Sequence, residues 1–381
     1  MITEIRGVEF DNKGAELMLH AVVQKMSEWN DKNIVAIRPK IGSFRQRSPL
    51  GLYQLIWSDK KFPLFGSSLN SLLNLIPEKT KNSFGLVTYS QIDVVLDASG
   101  FTYSDQWGSK KSQVMADLAK KCRKEGKKVI LMPQAFGPFE NPQVKKAFIE
   151  VVKNTDLIFA REAISYKYLM ELGIESSHIK IAPDFTNLVK GTVPDYFDTS
   201  FKRACIIPNI RMTDKTSEEV KNRYIYFLET CADILFQKEL KPFILVHDTE
   251  DSSLAFRIQE KFGNSLEIIS ESNPLYIKGI LGNCYAVVSS RFHGLINALS
   301  QGIPCVATGW SHKYQMLLED YNCPECLIDS VSSKDEIKQK INMITDEPHR
   351  SLLLKKLEVA SIEQKKLVSN MWDEIYNILS N

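Results

Sequence analysis

The stretch that decides the fold is AVVSSRFHGLINALSQGIPCVAT, residues 286–308. A short apolar run over Ala286–Ser289 is followed by a segment of helical period over Gly294–Gln301 and a second apolar run over Cys305–Thr308. Short apolar runs bounded by turn residues are typical of buried strands, and strands that alternate with helices favour parallel pairing. The stretch therefore predicts a βαβ unit with polar residues at the end of its first strand.

The same alternation extends over the whole chain. In the first half it predicts strands over Ile2–Phe10, Ile34–Arg38, Ile92–Ala98, Lys128–Met132, Asp156–Ala160 and Ile179–Ala182, and helices over Ala15–Trp29, Gln113–Glu125 and Ser165–Leu172. In the second half it predicts strands over Ala204–Ile207, Pro242–Val246 and Leu266–Ile269, and helices over Glu218–Gln237, Ser253–Phe262 and Pro274–Leu281. We expect an N-terminal α/β domain (1–190), a linker over Lys190–Lys202, a C-terminal α/β domain (203–333) and a helical tail (334–381). Two such domains usually hold a ligand in the cleft between them, beyond the carboxyl ends of the strands.

Composition excludes several classes of function. The chain has 381 residues, with 48 Lys+Arg against 46 Asp+Glu and a formal charge of +2, so nucleic acid is not expected as a partner. Glu4 and Arg6 interrupt any secretory signal at the N-terminus, and no run reaches the roughly 18 apolar residues of a membrane span. The seven cysteines are therefore expected to be reduced in a cytoplasmic protein. Cys323 and Cys326 form a CxxC pair without further ligands at zinc-site spacing, so no metal site is predicted.

The strongest chemical signal is Arg291 with His293, directly after the strand Ala286–Ser289 and at the start of a helix. The free N–H groups and the dipole of a helix N-terminus favour an anion. Arginine offers a planar fork for carboxylate or phosphate, and histidine exchanges protons near neutral pH. The alternative interpretation is an arginine paired with a core carboxylate and a histidine that caps the helix.

Other strand ends also carry polar residues. Arg161 follows the strand Asp156–Ala160, Gln134 follows Lys128–Met132, and His247 follows Pro242–Val246. The carboxyl ends of parallel strands meet at one edge of a sheet, so these side chains are candidates for a shared site. Residues 12–16 (NKGAE) lie between the first strand and the first helix, where a glycine lets backbone amides approach a ligand. Glu16 could equally serve only to favour the helix dipole.

The order of these motifs resembles the polysaccharide pyruvyl transferase family over about residues 5 to 325. The matching pieces are Asn12-Lys13-Gly14-Ala15-Glu16, Asp97–Gly100, Pro133-Gln134, Gly137-Pro138, Arg161-Glu162, Ser165, Gly173-Ile174, Pro183-Asp184, His247, Ser290-Arg291-Phe292-His293-Gly294, Ala298-Leu299, Gly302-Ile303-Pro304 and Lys313. The resemblance implies two Rossmann-like domains of the GT-B type facing across a cleft, with the acceptor in the N-terminal domain and phosphoenolpyruvate in the C-terminal one.

The resemblance also implies an activity: transfer of pyruvate from phosphoenolpyruvate to a sugar diol of a surface polysaccharide or its lipid-linked precursor, which forms a cyclic ketal. Phosphoenolpyruvate is a substrate, and no cofactor or metal is expected. The residues expected to be catalytic are His293, Arg291 and Glu16, and those expected to bind substrate are Arg161, His247, Asn12, Ser290, Gly294, Gln134 and Lys313. His293 could instead only hydrogen-bond the phosphate.

Two other functions stay open: a GT-B glycosyltransferase that uses a nucleotide sugar, and a non-catalytic glycan-binding protein. A lipid-linked acceptor would place the protein at the cytoplasmic face of a membrane. Two basic segments are candidates for weak contact with anionic lipid, Lys120–Lys128 and the tail around Lys355 and Lys356. The first could equally be a solvated helix end.

Overall fold

The fold is built on two parallel β-sheets, one in each of two units. The structure is a computed structural model that describes residues 1–56, 73–174, 177–309 and 311–380. The first unit comprises Met1–Phe10, Met18–Pro183 and Met371–Asn381, and the second comprises Asp11–Leu17 and Asp184–Asn370. The ranges predicted from the sequence run continuously, whereas these units do not. The first helical turn belongs to the second unit and the last residues belong to the first.

The first unit contains an eight-stranded sheet in the order β4-β3-β2-β1-β5-β6-β7-β8, and each strand pair is parallel. Its strands are β1 (Ile2–Arg6), β2 (Ile34–Ile37), β3 (Tyr53–Ile56), β4 (Leu86–Thr88), β5 (Val94–Asp97), β6 (Lys128–Gln134), β7 (Leu157–Ala160) and β8 (Ile179–Ile181). Helix α1 (Lys13–Trp29) begins in the second unit and continues in the first. The other described helices of this unit are α2 (Phe44–Arg47), α3 (Glu78–Ser83), α4 (Ser109–Lys124), α5 (Pro142–Asn154) and α6 (Ala163–Met170).

The second unit contains a five-stranded parallel sheet in the order β11-β10-β9-β12-β13. Its strands are β9 (Arg203–Ile207), β10 (Lys241–Val246), β11 (Glu267–Ser270), β12 (Ala286–Ser289) and β13 (Cys305–Ala307). Its helices are α7 (Arg211–Asp214), α8 (Glu218–Gln237), α9 (Ser252–Phe262), α10 (Pro274–Gly282), α11 (Phe292–Leu299), α12 (Lys313–Asp320) and α13 (Lys334–Thr345). The long α14 (His349–Ser380) begins in this unit and ends in the first.

The strand order of the second sheet defines where a ligand would bind. The chain runs from β9 outward through β10 to β11 and then returns to the other side of β9 with β12. In parallel sheets, ligands bind beyond the carboxyl ends of the strands at such a reversal. The segment that follows β12 begins at Ser290, so the Arg291–His293 motif lies at this point.

The predicted α/β fold with two parallel sheets is confirmed, with local differences. β1 ends at Arg6 rather than Phe10, because Gly7 turns the chain with a φ of +73° that favours glycine. α11 begins at Phe292 rather than Gly294, which brings His293 into the first helical turn. The tail is two helices, since residues 346–348 interrupt it. The ligand-binding cleft between the two domains stays a prediction.

The cysteines are buried and free. All seven lie in the protein interior, one (Cys122) in the first unit and the other six in the second. Burial raises the pKa of Cys231, and burial together with the thiols of Cys326 and Cys284 raises the pKa of Cys305. Cys231 and Cys305 therefore stay protonated in the folded chain.

Within the described ranges, no helix is both long enough and apolar enough to cross a bilayer. Nor do these residues contain a group of three or more His, Cys, Asp or Glu side chains that could hold a metal ion.

Candidate active site in the second unit

The first turn of α1 packs on the end of β10. Asn12 pairs with Asp248 in an antiparallel bridge, and the backbone N–H of Lys13 donates to the carbonyl of His247 at 3.4 Å. The Asn12 side chain accepts from the N–H groups of Gly14 (3.0 Å) and Ala15 (3.3 Å), as a helix cap does. Asn12 thus fixes the start of the helix beside His247.

Gly14 allows the start of α1 to meet the start of α11. A Cβ at Gly14 would lie 2.3 Å from Nδ1 and 2.4 Å from Cγ of His293, so a side chain there would displace the imidazole. Only glycine fits without movement. The N-termini of two helices therefore lie together at the histidine. The first N–H groups of α1 are bonded to Asn12 and to the His247 carbonyl, whereas the start of α11 has no side-chain cap among the described residues. The dipoles of both helices and the N–H groups at the start of α11 favour a negatively charged ligand.

His293 lies between Gly14 and a buried carboxylate. Its Nε2 is 3.4 Å from Oδ2 of Asp184, whose side chain has no exposed surface. Within the described part of the chain, Nε2 is buried and makes no hydrogen bond of good geometry. The imidazole side chain is 14% exposed, so a small ligand could still reach its edge. This arrangement pairs a proton-exchanging group with an acceptor that can stabilise its charged form.

His247 is the second imidazole of the site and is fully buried. Neither ring nitrogen has a hydrogen-bond partner among the described residues. Burial lowers the pKa of His247 well below its usual range, and the charges of Arg291 and His293 lower it further. The ring is therefore neutral and presents one donor and one acceptor. Buried polar atoms without partners are rare in folded proteins, which marks this position as a candidate ligand contact.

The guanidinium of Arg291 is paired with carboxylates of its own unit. Nε donates to Oδ2 of Asp251 at 2.8 Å, Nη2 bonds Oδ1 of the same carboxylate, and Nη1 is 3.3 Å from Oδ2 of Asp248. From the sequence, Arg291 is expected to be catalytic, with a fork that can bind a carboxylate or phosphate. The geometry instead matches the alternative interpretation, an arginine paired with core carboxylates, because the fork is occupied on every nitrogen. Arg291 thereby holds the segment Asp248–Asp251 beside His247.

The polar atoms of Ser290 are also hydrogen-bonded within the protein. Its hydroxyl shares a 2.6 Å hydrogen bond with Tyr224, and its carbonyl accepts from Nδ2 of Asn209 (2.7 Å) and from the hydroxyl of Tyr314 (2.8 Å). The residue is fully buried. The hydroxyl expected to bind substrate therefore fixes the backbone that leads into Arg291. Gly294 has a packing role, since a Cβ there would lie 2.7 Å from Cδ1 of Ile207.

Glu16 and Lys13 form an ion pair in the first turn of α1, with Nζ 2.8 Å from Oε2. Burial raises the pKa of Glu16, while the hydrogen bond from Lys13 lowers it. The pKa of Glu16 is raised on balance, so its carboxyl group holds a proton more readily than the carboxyl group of an exposed glutamate does. Lys313 begins α12, and its ammonium lies 5.4 Å from the ring centroid of Phe292. Both residues thus lie in the second unit with His247 and His293.

Two of the predicted substrate contacts lie in the first unit. Gln134 ends β6 and Arg161 follows β7, and the N–H of Arg161 donates to the carbonyl of Gln134 at 3.0 Å. The Gln134 amide donates to the backbone of Asp97 at 3.2 Å, and both residues are buried. The structure therefore groups Asn12, Glu16, His247, Arg291 and His293 in the second unit and places Gln134 and Arg161 together in the first.

The model of the family described as polysaccharide pyruvyl transferase matches residues 12–312. The chain belongs to this family. The matched range begins at the helix cap Asn12 and includes every residue of the second-unit cluster described above.

Solved structures of other enzymes share the fold of this pyruvyl transferase family member at low sequence identity. Anabaena HepE in complex with UDP and glucose matches at a TM-score of 0.60 and 12% identity, over 100% of this chain and 99% of HepE. A glycosyltransferase from Rickettsia africae matches at 0.60 and 14%, over 100% and 98%. UDP-GlcNAc 2-epimerase from Neisseria meningitidis, bound to UDP-GlcNAc, matches at 0.59 and 11%, over 100% and 99%. These likenesses concern the fold alone.

The sequence motifs did not reveal the partners of the two key side chains. Asp184 belongs to a motif that the family shares, yet its place beside His293 depends on how β8 and the following turn fold. Asp251, which pairs with Arg291, follows no strand directly. The sequence signal available for such a partner is a carboxylate that follows a predicted strand. Asp184 has this position, after the predicted strand Ile179–Ala182.

Proposed function

We propose that this protein transfers the pyruvyl group of phosphoenolpyruvate to a sugar diol of a surface polysaccharide or of its lipid-linked precursor, forming a cyclic ketal. The observation that carries the proposal is the meeting of two helix N-termini at His293, beside the unpartnered imidazole of His247. This cluster lies inside the range that matches the family.

The cluster suits the charge of the proposed substrate. Phosphoenolpyruvate carries a carboxylate and a phosphate. The N–H groups at the start of α11, which has no side-chain cap in the described part of the chain, can bind such an anion, and the dipole of α1 adds to the attraction. His247 can donate one further hydrogen bond, and Lys313 adds a cation in the same unit. Because the fork of Arg291 is used by Asp251, we assign Arg291 to holding this site in shape rather than to binding the anion.

The proposed reaction needs one proton donor and one acceptor. The methylene carbon of phosphoenolpyruvate gains a proton, a sugar hydroxyl adds to the neighbouring carbon, and that carbon loses phosphate. A second hydroxyl then adds to the same carbon and closes the ketal. Its proton restores the acid that donated to the methylene carbon, and the proton of the first hydroxyl leaves with the phosphate. Burial raises the pKa of Glu16, which makes it a readier proton donor near neutral pH than an exposed glutamate, and we assign it the proton that goes to carbon. We assign His293 to accept the proton of the sugar hydroxyl. The positively charged ring would then face Asp184. No step uses a cofactor.

We assign the acceptor sugar to the first unit, through Gln134 and Arg161. Both are buried polar residues that follow strands, and an arginine can bind hydroxyl or carboxylate oxygens.

The test is an incubation with phosphoenolpyruvate and a panel of glycan diols, followed by measurement of released phosphate and mass spectrometry of the glycan. We expect phosphate release together with a pyruvate ketal on the acceptor. A parallel incubation with labelled nucleotide sugars examines the glycosyltransferase alternative, which the fold of HepE and the Rickettsia enzyme favours. Nucleotide release without phosphate release would overturn the proposal. Binding of glycan with neither release would identify a binding protein.

We also propose that the protein contacts anionic lipid at the cytoplasmic face through α14. Leu352, Val359 and Ile362 are 59%, 65% and 64% exposed, and with the exposed Lys355 and Lys366 they follow the i, i+3, i+7 spacing of one helix face. An exposed apolar stripe with lysines fits the interface of an anionic membrane.

In the other basic segment, Lys120–Lys128, lysine side chains form ion pairs and hydrogen bonds within the protein. Lys120 is 2.7 Å from Glu150, the ammonium of Lys127 donates to the carbonyls of Tyr89 and Ile92, and Lys128 is 3.5 Å from Asp156. Co-sedimentation with phosphatidylserine vesicles should therefore be lost in Val359→Glu with Ile362→Glu, kept in Lys120→Gln, and weakened by salt. Equal binding by all three proteins would overturn this assignment.

A further inference from the structure

Asp184 is placed by the turn that follows β8. Its Oδ1 accepts from the N–H of Thr186 at 3.0 Å and from the Thr186 hydroxyl at 2.6 Å. Its other oxygen, Oδ2, lies 3.4 Å from Nε2 of His293. The carboxylate is thus fixed by its own turn, and its second oxygen faces the imidazole.

A buried lysine stands behind this turn. Lys278 lies in α10, is 1% exposed, and donates from Nζ to the carbonyl of Thr186 at 2.7 Å. Burial lowers the pKa of Lys278 to about 7, and the negative charge of Asp184 opposes that effect. A lysine that remains inside a protein must be stabilised by such partners, because burial of an ammonium without them is costly.

The helix that carries Lys278 cannot move away from the turn without loss of packing. A Cβ on Gly279 would lie 2.1 Å from the carbonyl oxygen of Thr192, and the N–H of Thr192 donates to the carbonyl of Leu275 at 2.9 Å. The backbones of α10 and of the segment after Asp184 are therefore in direct contact. This contact fixes the position of the ammonium relative to Thr186.

We propose that Asp184 is the positioning residue of His293, holding its ring with Nε2–H toward Oδ2, and that Lys278 keeps the Asp184 turn in the geometry this requires. The inference rests on the proposed function for its catalytic meaning, but its structural part does not. The separation of 3.4 Å is long for a hydrogen bond, and such contacts commonly shorten when substrate binds.

The consequence for catalysis follows from the tautomer. With the proton on Nε2, the lone pair is on Nδ1, the atom that lies against Gly14 at the start of α1. When a sugar O–H bond breaks, the proton moves to Nδ1 and the oxygen forms its bond to carbon. The positive charge on the ring is then balanced by the carboxylate of Asp184.

The tautomer can be measured without any substrate. Nitrogen-15 NMR of histidine-labelled protein at alkaline pH, with the His293 signals assigned from a His293→Gln spectrum, distinguishes a protonated Nε2 from a protonated Nδ1. We expect Nε2–H in the wild type. In Asp184→Asn the amide can donate to Nε2, so the ring should change to Nδ1–H.

The matched control is Thr186→Val, which removes a hydrogen bond from the other oxygen of the same carboxylate. We expect its ring to keep Nε2–H. If Asp184→Asn leaves the tautomer unchanged, or if Thr186→Val changes it equally, the role of Asp184 is overturned. Lys278→Met should give a mixture of the two tautomers, and an unchanged spectrum would overturn the role of Lys278.

Kinetics supply the second measurement. In Asp184→Asn, kcat with phosphoenolpyruvate should fall by roughly 10²–10⁴-fold while its KM changes less than about threefold, because Asp184 faces the imidazole and is not itself assigned a contact with the substrate anion. Because loss of folded protein also lowers the apparent kcat at unchanged KM, kcat is referred to the folded fraction measured by calorimetry. A purely structural role would then leave the corrected kcat near the wild-type value. If the wild type releases no phosphate with any acceptor, the proposed function fails, whereas the tautomer result still decides the inference.

Discussion

The polar side chains that follow the strands are bonded differently in the two units. In the first unit, Asp97 accepts from the hydroxyl of Tyr103 at 3.1 Å, and Glu162 accepts from the N–H of Ile164 at 2.7 Å. The Ser165 hydroxyl accepts from the N–H of Phe136 at 2.8 Å. These contacts tie one loop to another, and they contribute to stability as ordinary buried hydrogen bonds do.

In the second unit the carboxylates are paired, but the imidazoles are not. Asp251 holds Arg291, whereas both nitrogens of His247 and Nε2 of His293 are buried without hydrogen bonds among the described residues. An unsatisfied buried polar atom costs about 1–3 kcal/mol. A substrate that supplies the missing partners would recover that cost on binding. The described part of the first unit also contains buried atoms without hydrogen bonds, such as the amide oxygen of Gln134. The two units therefore differ in the kind of group that lacks a bond, an amide in the first and two proton-exchanging imidazoles in the second.

The largest expected effect is on turnover. His293→Gln keeps a hydrogen-bond donor but cannot relay a proton, so kcat should fall by roughly 10²–10⁴-fold with little change in phosphoenolpyruvate affinity. Ser165→Ala in the first unit should leave kcat unchanged while the free energy of unfolding falls by about 1–3 kcal/mol. Steady-state phosphate release and calorimetry check both. Equal losses of turnover in the two variants would remove the distinction between the units.

The next effect is on stability. Arg291→Met leaves the fully buried carboxylate of Asp251 without its cation, which should lower the free energy of unfolding by about 3–5 kcal/mol. Adding Asp251→Leu should recover much of that loss, because the uncompensated charge is then removed. Urea unfolding measures both variants. A loss below about 1 kcal/mol in Arg291→Met would mean that the pair does not support the site, and the arginine would return as a candidate anion anchor.

A smaller effect is expected from Gly14→Ala. The added Cβ would meet the His293 ring at 2.3 Å, so the ring must shift, at a cost of about 1–3 kcal/mol and with reduced turnover. Gly126 of the first unit provides the control, since it has a φ of +71° and no atom within 4 Å of an added Cβ. Gly126→Ala should cost about 1–2 kcal/mol of backbone strain and leave kcat intact. If Gly14→Ala is fully active, the contact between the two helix starts has no catalytic role.

The smallest effect is a pH dependence that belongs to His247. Burial lowers its pKa below the usual 6.5, so below that pH the unfolded chain binds a proton that the folded chain does not. Stability is thus lost as pH falls, by about 1.4 kcal/mol per pH unit. His247→Asn lacks this dependence, and the stability difference between wild type and variant should shrink as pH is lowered from 7 to 5. If the stabilities of wild type and His247→Asn change with pH in parallel, His247 is already protonated or hydrogen-bonded in the folded chain.

Much of the second sheet could be predicted from the sequence, because β12, α11 and β13 are short apolar elements separated by clear turn signals. Strands β3 and β4 were not predicted. They have only four and three residues, so period and composition give little signal over their length. The two helices of the tail were merged because both are amphipathic and charged.

The site could be predicted only in part. The strand-end rule brought His247 and the Arg291–His293 motif into one unit. It did not place the loop before α1 there, because the sequence assigns residues 12–16 to the N-terminal domain, whereas the structure pairs Asn12 with Asp248. It could not predict that the Arg291 fork is filled, because Asp251 is 40 positions away and the pairing depends on how α9 packs. The occupied hydroxyl of Ser290 has the same cause, since its partner Tyr224 lies in another helix.

The uneven distribution of cysteines gives each unit its own built-in reporter. A thiol reagent can reach Cys122 only when the first unit opens, and it can reach the other six only when the second unit opens. Pulsed alkylation followed by intact-mass measurement would therefore read the opening of the two units as separate additions of one and six labels. The losses expected for Ser165→Ala and Arg291→Met could then be assigned to their own units without any engineered probe.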